Sequence, residues 1–373
     1  MPTMSVMIKP VSGLCNMKCE YCFYTDEMNN RNQALYGIMQ ADVMQNIIRK
    51  TLSFATSSCT FIFQGGEPTL AGLAFYQQWV KYEKQYNERR IAIYHAIQTN
   101  GLVIDEAWCG FFRENNFLVG LSLDGIECTH DMYRKDMQGN GTFAKVMETA
   151  RELKEESVEF NILTVVNKET ATRISSIYDM FKKQGFMWQQ YIACLPPINK
   201  DPREVEYSLS PELYGDFLTN LFLLWEKDVW NGTQPYIRQF ENYIGILLGI
   251  YPESCEQRGV CSFQMVIEAD GSVYPCDFYV LDEYKLGNLL TDNLDDIGKE
   301  REKSDFVKRS YNHTKTCLNC KYHFICRGGC YRNRTQFDDE KGHNYLCDGY
   351  RKFFDNCLPD LKKIAEWVRK TQG

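Results

Sequence analysis

The sequence predicts an α/β fold wound from parallel β/α units, as a barrel or an open sheet, followed by a cysteine-rich region of less regular structure. Three observations predict it. Strand-like runs rich in β-branched and aromatic residues alternate with amphipathic helical stretches through the first half of the chain. Six such strands, each followed by a crossover, favour parallel winding. Beyond about residue 195 the alternation stops, and from the hairpin at 263–278 to residue 357 cysteine becomes dense.

The strands are expected at 5–11 (SVMIKPV), 60–64 (TFIFQ), 91–98 (IAIYHAIQ), 118–123 (LVGLSL), 158–166 (VEFNILTVV) and 187–193 (MWQQYIA). Helices are expected near 41–56, 73–88, 105–115, 142–156 and 170–184. Short polar tags follow the strands: CNMKCEYC (15–22) after the first, GGEP (65–68) after the second, TNG (99–101) after the third, and SLDG (122–125) at the end of the fourth. In parallel β/α folds the C-terminal strand ends carry the chemistry, so the four tags define an expected active-site face. LPPINKDP (195–202) is a turn-rich connection, and helices are expected at 210–231 and 237–250. FQMVIEADGSVYPCDF (263–278) reads as a hairpin turning at Asp270–Gly271. The closing LPDLKKIAEWVRK is an expected packing helix.

With 373 residues, the chain can hold one large domain with an appendage, or two to three domains. A hydrophobic fraction of 44% and a charged fraction of 24% are those of an ordinary globular protein. The net charge of −7 argues against nucleic acid or an anionic membrane as the main partner. No apolar run approaches the roughly 20 residues that span a bilayer. MPTMSVMIKP lacks the layout of a signal peptide, so a cytoplasmic location is expected. Thiols stay reduced there, and 16 cysteines in that setting point to metal rather than disulfides.

The cysteines sort by spacing. Cys15, Cys19 and Cys22 form Cys-x3-Cys-x2-Cys. Cys255, Cys261 and Cys276 follow, then Cys317-x2-Cys320-x5-Cys326-x3-Cys330 and Cys347. Cys59, Cys109, Cys128, Cys194 and Cys357 are isolated and read as buried thiols. Spacing alone leaves the C-terminal eight balanced between two structural zinc sites and two fully ligated [4Fe–4S] clusters. A thioredoxin-like pair would use Cys19 and Cys22 but leaves Cys15 unexplained. A cluster held by three thiolates instead keeps one iron free for an outside ligand.

Cys-x3-Cys-x2-Cys after strand one, with GGEP after strand two, resembles the radical S-adenosylmethionine (SAM) superfamily. The hairpin, Cys276-x10-Gly287 and the Cys317–Cys347 pattern resemble its SPASM extension. IKP…CNMKCEYCFY, FQGGEPTLAGL, QTNG, FLVGLSLDG, YSL, DGSVYPCDFYVL, LGN and RGGC read in order like the anaerobic sulfatase-maturating enzymes, over nearly the whole chain. The resemblance implies a partial (β/α)6 TIM-like barrel over 1–235 and a SPASM domain with a β-hairpin and helices over 236–373. It also turns the cysteine reading from zinc to iron–sulfur.

By resemblance, Cys15, Cys19 and Cys22 hold the SAM-binding [4Fe–4S] cluster. Cys255, Cys261, Cys276 and Cys330 hold one auxiliary [4Fe–4S] cluster, and Cys317, Cys320, Cys326 and Cys347 the other. Gly65 and Gly66 are expected at the SAM amino group; on their own they read as a tight turn. Arg134 offers a fork for the SAM carboxylate, with Tyr21, Ser122 and the Leu195 backbone also near SAM. Gln98 and Asn100 are weaker candidates, and Gln64 and Tyr24 are candidates for the peptide site. Asp277 alone is an ordinary turn carboxylate; in the family the matching residue is the proposed general base.

The implied reaction cleaves SAM to a 5′-deoxyadenosyl radical, which removes a Cβ hydrogen from a cysteine or serine of a C/S-x-P/A-x-R peptide. A proton passes to Asp277 and an electron to the auxiliary clusters, and hydrolysis leaves Cα-formylglycine. The implied partners are a peptide or unfolded sulfatase and an electron donor such as flavodoxin or ferredoxin. The alternative keeps the chemistry and changes the outcome to crosslinking or epimerisation of another ribosomal peptide. Many such enzymes carry an N-terminal leader-peptide domain, and a start on strand one favours sulfatase maturation.

Overall fold

The computed structural model describes residues 3–262, 264–335 and 342–372. The chain forms two compact units, each drawing on several stretches of sequence. The first comprises 1–122, 131–160 and 263–306; the second comprises 123–130, 161–262 and 307–373.

In the first unit, β1 (Met4–Ile8), β2 (Ser58–Phe63), β3 (Ala92–Thr99) and β4 (Phe117–Ser122) lie side by side and parallel. Strict alternation builds β2: Cys59, Phe61 and Phe63 are fully buried, while Ser58, Thr60 and Ile62 are half-buried. The helix Ala41–Phe54 buries Val43, Met44, Ile47, Ile48, Thr51 and Leu52, a stripe at helical spacing. Phe63 packs edge-on against Trp79 of the next helix, Leu73–Tyr86, with ring centroids 5.0 Å apart.

The expected hairpin forms from β8 (Met265–Ile267) and β9 (Ser272–Tyr274), after the intervening strands of the second unit. Its turn lies at Asp270–Gly271, where Gly271 takes a positive φ of 85°. β8 also pairs in parallel with β1, from Val6↔Met265 to Ile8↔Ile267, extending this sheet on its far side. The sequence showed the hairpin but not this pairing. The pairing brings residues 268–280 beside the loop that follows β1.

The second unit contains β5 (Phe160–Val166) from Asn161 on, β6 (Trp188–Ala193) and β7 (Tyr236–Ile237), all parallel. All six expected strands are therefore present, with ends displaced by a few residues. The helix expected at 170–184 is divided into Lys168–Thr172 and Ile174–Gln184, with Arg173 leaving helical geometry between them. Pro211–Asn231 begins on Ser210, whose hydroxyl accepts from Leu213 N at 3.1 Å. It crosses the final helix, Cys347–Gln372, at two glycines. A Cβ on Gly215 would stand 2.9 Å from Gly349 O, and one on Gly349 would stand 2.3 Å from Pro211 O. That final helix starts well before the expected Leu358 and carries Pro359 inside it, so Cys347 opens its first turn. The intervening region 307–330 holds only helices of four residues.

Candidate functional site

The three-cysteine loop leaves β1 and is held first by backbone hydrogen bonds. Gly66 N donates to Ser12 O at 2.8 Å, and Glu67 N donates to Leu14 O at 2.7 Å. The contact is close enough to require both glycines. Gly65 has φ +127°, and a Cβ on Gly66 would lie 2.1 Å from Leu14 O. The glycines therefore press the GGEP turn onto the cysteine loop.

Glu67 locks the turn to the next strand end. Its fully buried carboxylate accepts from Thr69 N (3.1 Å), Thr69 Oγ1 (2.6 Å), Thr99 Oγ1 (2.8 Å) and Asn100 N (2.7 Å). Burial pushes its pKa up against those donors. Sequence reasoning assigned Glu67 no role, although it sits in the quoted tag. Asn100 then reaches the loop, donating to Asn16 Oδ1 at 2.7 Å with Cys15 Sγ at 3.9 Å.

On the other side, residues 17–20 pair with 133–136, through Lys18 N to Lys135 O (2.8 Å) and Glu20 N to Tyr133 O (3.3 Å). This ladder places buried Arg134 with its guanidinium 5.6 Å from the Tyr21 ring centre. Burial pushes the Cys15 thiol up to about 11, while a hydrogen bond from Met17 N and the Arg134 charge pull it down. A thiol so placed becomes a thiolate when a cation binds it. The structure thus gathers Cys15, Gly65, Gly66, Asn100, Tyr21 and Arg134 around one loop, with Ser122 at the end of β4. Leu195 is buried in the second unit, two residues past β6.

A second cluster of the first unit surrounds Asp277. Lys9, fully buried at the end of the strand-one run, donates from Nζ to Asp277 Oδ1 at 2.5 Å. Gln64 donates from Nε2 to Asp277 Oδ2. The Lys9 ammonium lies 4.0 Å over the Tyr24 ring. Tyr24 is itself buried and donates its hydroxyl to Glu268, which Arg31 pairs at 2.9 Å. Glu27 stands behind this group. Its Oε1 accepts from Val280 N at 3.1 Å, and Oε2 has no hydrogen-bond partner among the described residues. Burial pushes the Glu27 carboxyl well above the usual range, with Asp277 adding to the rise and Lys9 opposing it. Tyr24 thus braces Lys9 from within the core. Sequence reasoning missed Lys9 and Glu27; a lysine inside the apolar run SVMIKPV was the available signal.

In the second unit, Cys317, Cys320, Cys326 and Cys347 line one cavity together with His313 and His323. Burial pushes Cys347 up to about 12 and Cys326 higher, and the neighbouring thiols of the set add to both rises. Cys255, Cys261 and Cys330 also face one another: Cys261 is pushed up to about 11 by burial, with Cys255 adding to the rise. The Cys330 thiol is raised by burial and then by Cys255, Glu256 and Cys261. Arg334 stands beside both groups, its guanidinium held by the carbonyls of Ser310 (2.6 Å), Gly259 (2.6 Å) and Gly329 (3.2 Å). Among the described residues, no three His, Cys, Asp or Glu are gathered tightly enough to hold a single metal ion. Four thiols spread around the walls of a cavity suit a larger body, which is the donor set of a four-iron cluster. Cys276 lies in the first unit, next to Asp277.

The Radical SAM superfamily profile matches residues 10–181, and that of an iron–sulfur cluster-binding domain, SPASM, matches 255–321. The chain is 46% identical over 374 residues to the cysteine-type anaerobic sulfatase-maturating enzyme of Clostridium novyi (strain NT), covering 100% of each. The chain belongs to the anaerobic sulfatase-maturating enzymes, within the radical SAM superfamily. A serine-type member from Bacteroides thetaiotaomicron is 34% identical, covering 99% of this chain and 92% of that one. The solved structure described as native anSMEcpe with bound AdoMet and Cp18Cys peptide superposes with a TM-score of 0.93 at 41% identity, covering 98% of this chain and 100% of that one. As a radical SAM enzyme with a SPASM domain, the chain uses SAM and iron–sulfur clusters, the SPASM clusters being auxiliary.

Proposed function

We propose that this enzyme oxidises a cysteine in a sulfatase-type peptide to Cα-formylglycine, with Asp277 as the proton acceptor. The observation that carries the proposal is the buried Asp277 carboxylate, held on one oxygen by Lys9 and on the other by Gln64. A carboxylate offers about four acceptor directions. Two are taken by these donors, which leaves the group oriented and still able to accept a proton.

When bound, the cofactors would supply a 5′-deoxyadenosyl radical to take a hydrogen atom from Cβ of the target cysteine and would accept the one electron that the substrate then loses, before water replaces the sulfur, which leaves as sulfide. This chain then manages the proton. Asp277 receives it from the substrate thiol on the face of the carboxylate left open, and the Lys9 ammonium balances the carboxylate charge before transfer. Gln64 Nε2 fixes the plane of the carboxyl group. Arg134 offers its guanidinium to the SAM carboxylate, with Tyr21 packed against it. Gly65, Gly66 and Glu67 keep the cysteine loop in register with the strand ends, so that Cys15, Cys19 and Cys22 present three thiols. We assign Cys317, Cys320, Cys326 and Cys347 to one auxiliary set, and Cys255, Cys261 and Cys330 to the other, with Cys276 assigned to it by resemblance alone. Tyr21, Ser122 and the Leu195 backbone are assigned to SAM on the same ground. The reading places the enzyme in the cytoplasm, and no described helix is long and apolar enough to cross a membrane.

Cysteine rather than serine is favoured because the cysteine-type relative shares more of this sequence than the serine-type one. The test is anaerobic incubation of the iron-loaded protein with SAM, reductant and paired C-x-P-x-R and S-x-P-x-R peptides, read by mass spectrometry. Formylglycine from the cysteine peptide, at a higher rate than from the serine peptide, is expected. A thioether crosslink or an epimerised residue, with no aldehyde, would move the enzyme to another class of peptide modification.

A further inference from the structure

The second unit carries a charge pattern that the peptide chemistry does not use. The chain as a whole has a net charge of −7, yet residues 307–335 contain seven Lys and Arg and no Asp or Glu. This stretch wraps the cavity lined by Cys317, Cys320 and Cys326. Lys308, Arg309, Lys315 and Lys321 of this stretch are exposed. Large apolar side chains stand exposed among them: Tyr311 at 60%, Leu318 at 56% and Phe324 at 49%. Leu318 and Phe324 directly follow Cys317 and His323, whose side chains meet at 3.6 Å, so the apolar residues sit at the cavity rim. Acids also adjoin the stretch: Asp305 precedes it, and two stand on the final helix. Asp355 accepts from Lys321 at 2.7 Å, and exposed Asp348 pairs with Arg351 at 3.5 Å.

We infer that this rim is the docking surface for a small acidic one-electron carrier protein of the flavodoxin class. An apolar centre ringed by charge is the anatomy of a transient interface, and a ring in which basic groups outnumber acids orients an acidic partner within about 8–10 Å, the screening length at moderate ionic strength. Such orientation is needed here, because the overall charge of the enzyme repels the same partner. One electron leaves the carrier, which is oxidised by one unit, and the enzyme is reduced by one; no covalent bond forms or breaks. The inference rests on the reading of Cys317, Cys320, Cys326 and Cys347 as cluster ligands.

The experiment titrates the iron-loaded enzyme with oxidised flavodoxin by calorimetry at low ionic strength, comparing wild type with the Lys308→Glu, Arg309→Glu, Lys315→Glu triple variant. Affinity should fall about tenfold or more, as three attractive surface contacts become repulsive. Formylglycine formation driven by dithionite should stay at the wild-type rate, which separates the docking surface from the peptide reaction. A wild type that binds flavodoxin but makes no formylglycine with dithionite would instead defeat the proposed function. If the triple variant loses iron, Phe324→Ala replaces it, with an expected several-fold loss of affinity. Unchanged affinity in an iron-loaded variant overturns the inference. So does an equal loss in a Lys362→Glu, Arg369→Glu control on the final helix, which would show attraction to charge anywhere on the surface.

Discussion

The Asp277 pocket and the Cys317 cavity are built in opposite ways. The pocket joins side chains far apart in sequence: Lys9 and Asp277 are separated by 268 positions, and Tyr24 and Glu268 by 244. Its members are polar, buried and mutually compensated, and β1, β2 and the β8–β9 hairpin hold them whether or not a ligand is present. The cavity takes half of its walls from one short stretch, 313–328, whose four-residue helices are too short to be stable alone. Its thiols are raised by burial and by one another, so without a cation they gain nothing from facing inward. One site is organised by the protein, and the other needs its metal to be organised.

Metal removal gives the largest expected difference. Because binding energy is folding energy at such sites, anaerobic chelation should bring amide exchange in residues 310–330 close to free-peptide rates. Strands Ser58–Phe63 and Ala92–Thr99 should keep their protection, as read by hydrogen-exchange mass spectrometry. Equal loss in both regions would erase the contrast. The next effect is in the pocket. Lys9→Met leaves the Asp277 carboxylate buried without its counter-charge, and should cost about 3–5 kcal/mol in denaturant unfolding. Arg134→Lys keeps the charge but loses the planar fork, and should weaken SAM by about 1–3 kcal/mol in an equilibrium titration.

The smallest effect concerns Glu27. Its folded pKa is raised by burial, so between its unfolded and folded pKa values the native state holds the extra proton. Stability contributed by this group therefore falls as pH rises through that window. Glu27→Gln removes the dependence. It should leave stability at neutral pH equal to or up to about 1 kcal/mol above wild type, with a flatter slope above the ordinary carboxylate range, measured by urea unfolding as a function of pH.

The same contrast explains what could be read from the sequence. The grouping of the cysteines and the strand-end tags were legible because their information is local: fixed spacings, glycine pairs and turns after apolar runs. The six strands were legible for the same reason. Lys9 was hidden because nothing within SVMIKPV says that its charge is met by a carboxylate from the far end of the chain. Glu67 was visible as a letter but not as a clamp, since its four donors come from a neighbouring turn and a separate strand. The parallel pairing of β8 with β1 left no trace in periodicity. Cys347 fell outside the expected closing helix, which was begun at Leu358. In the fold Gly349 is required by the crossing with Gly215, and Pro359 is tolerated inside the helix.

The central claim is that Asp277 takes the proton. Asp277→Asn preserves shape and keeps one oxygen for Lys9, while the Gln64 amide can turn its own oxygen toward the new NH2, but the introduced amide cannot accept a proton at neutral pH. Deoxyadenosine and formylglycine should be measured together in one anaerobic reaction with a cysteine peptide. The account predicts continued deoxyadenosine formation with formylglycine reduced about 100-fold or more, the usual cost of losing a general base. If the two products keep the wild-type ratio in the variant, the base is another group and the Asp277 pocket is structural.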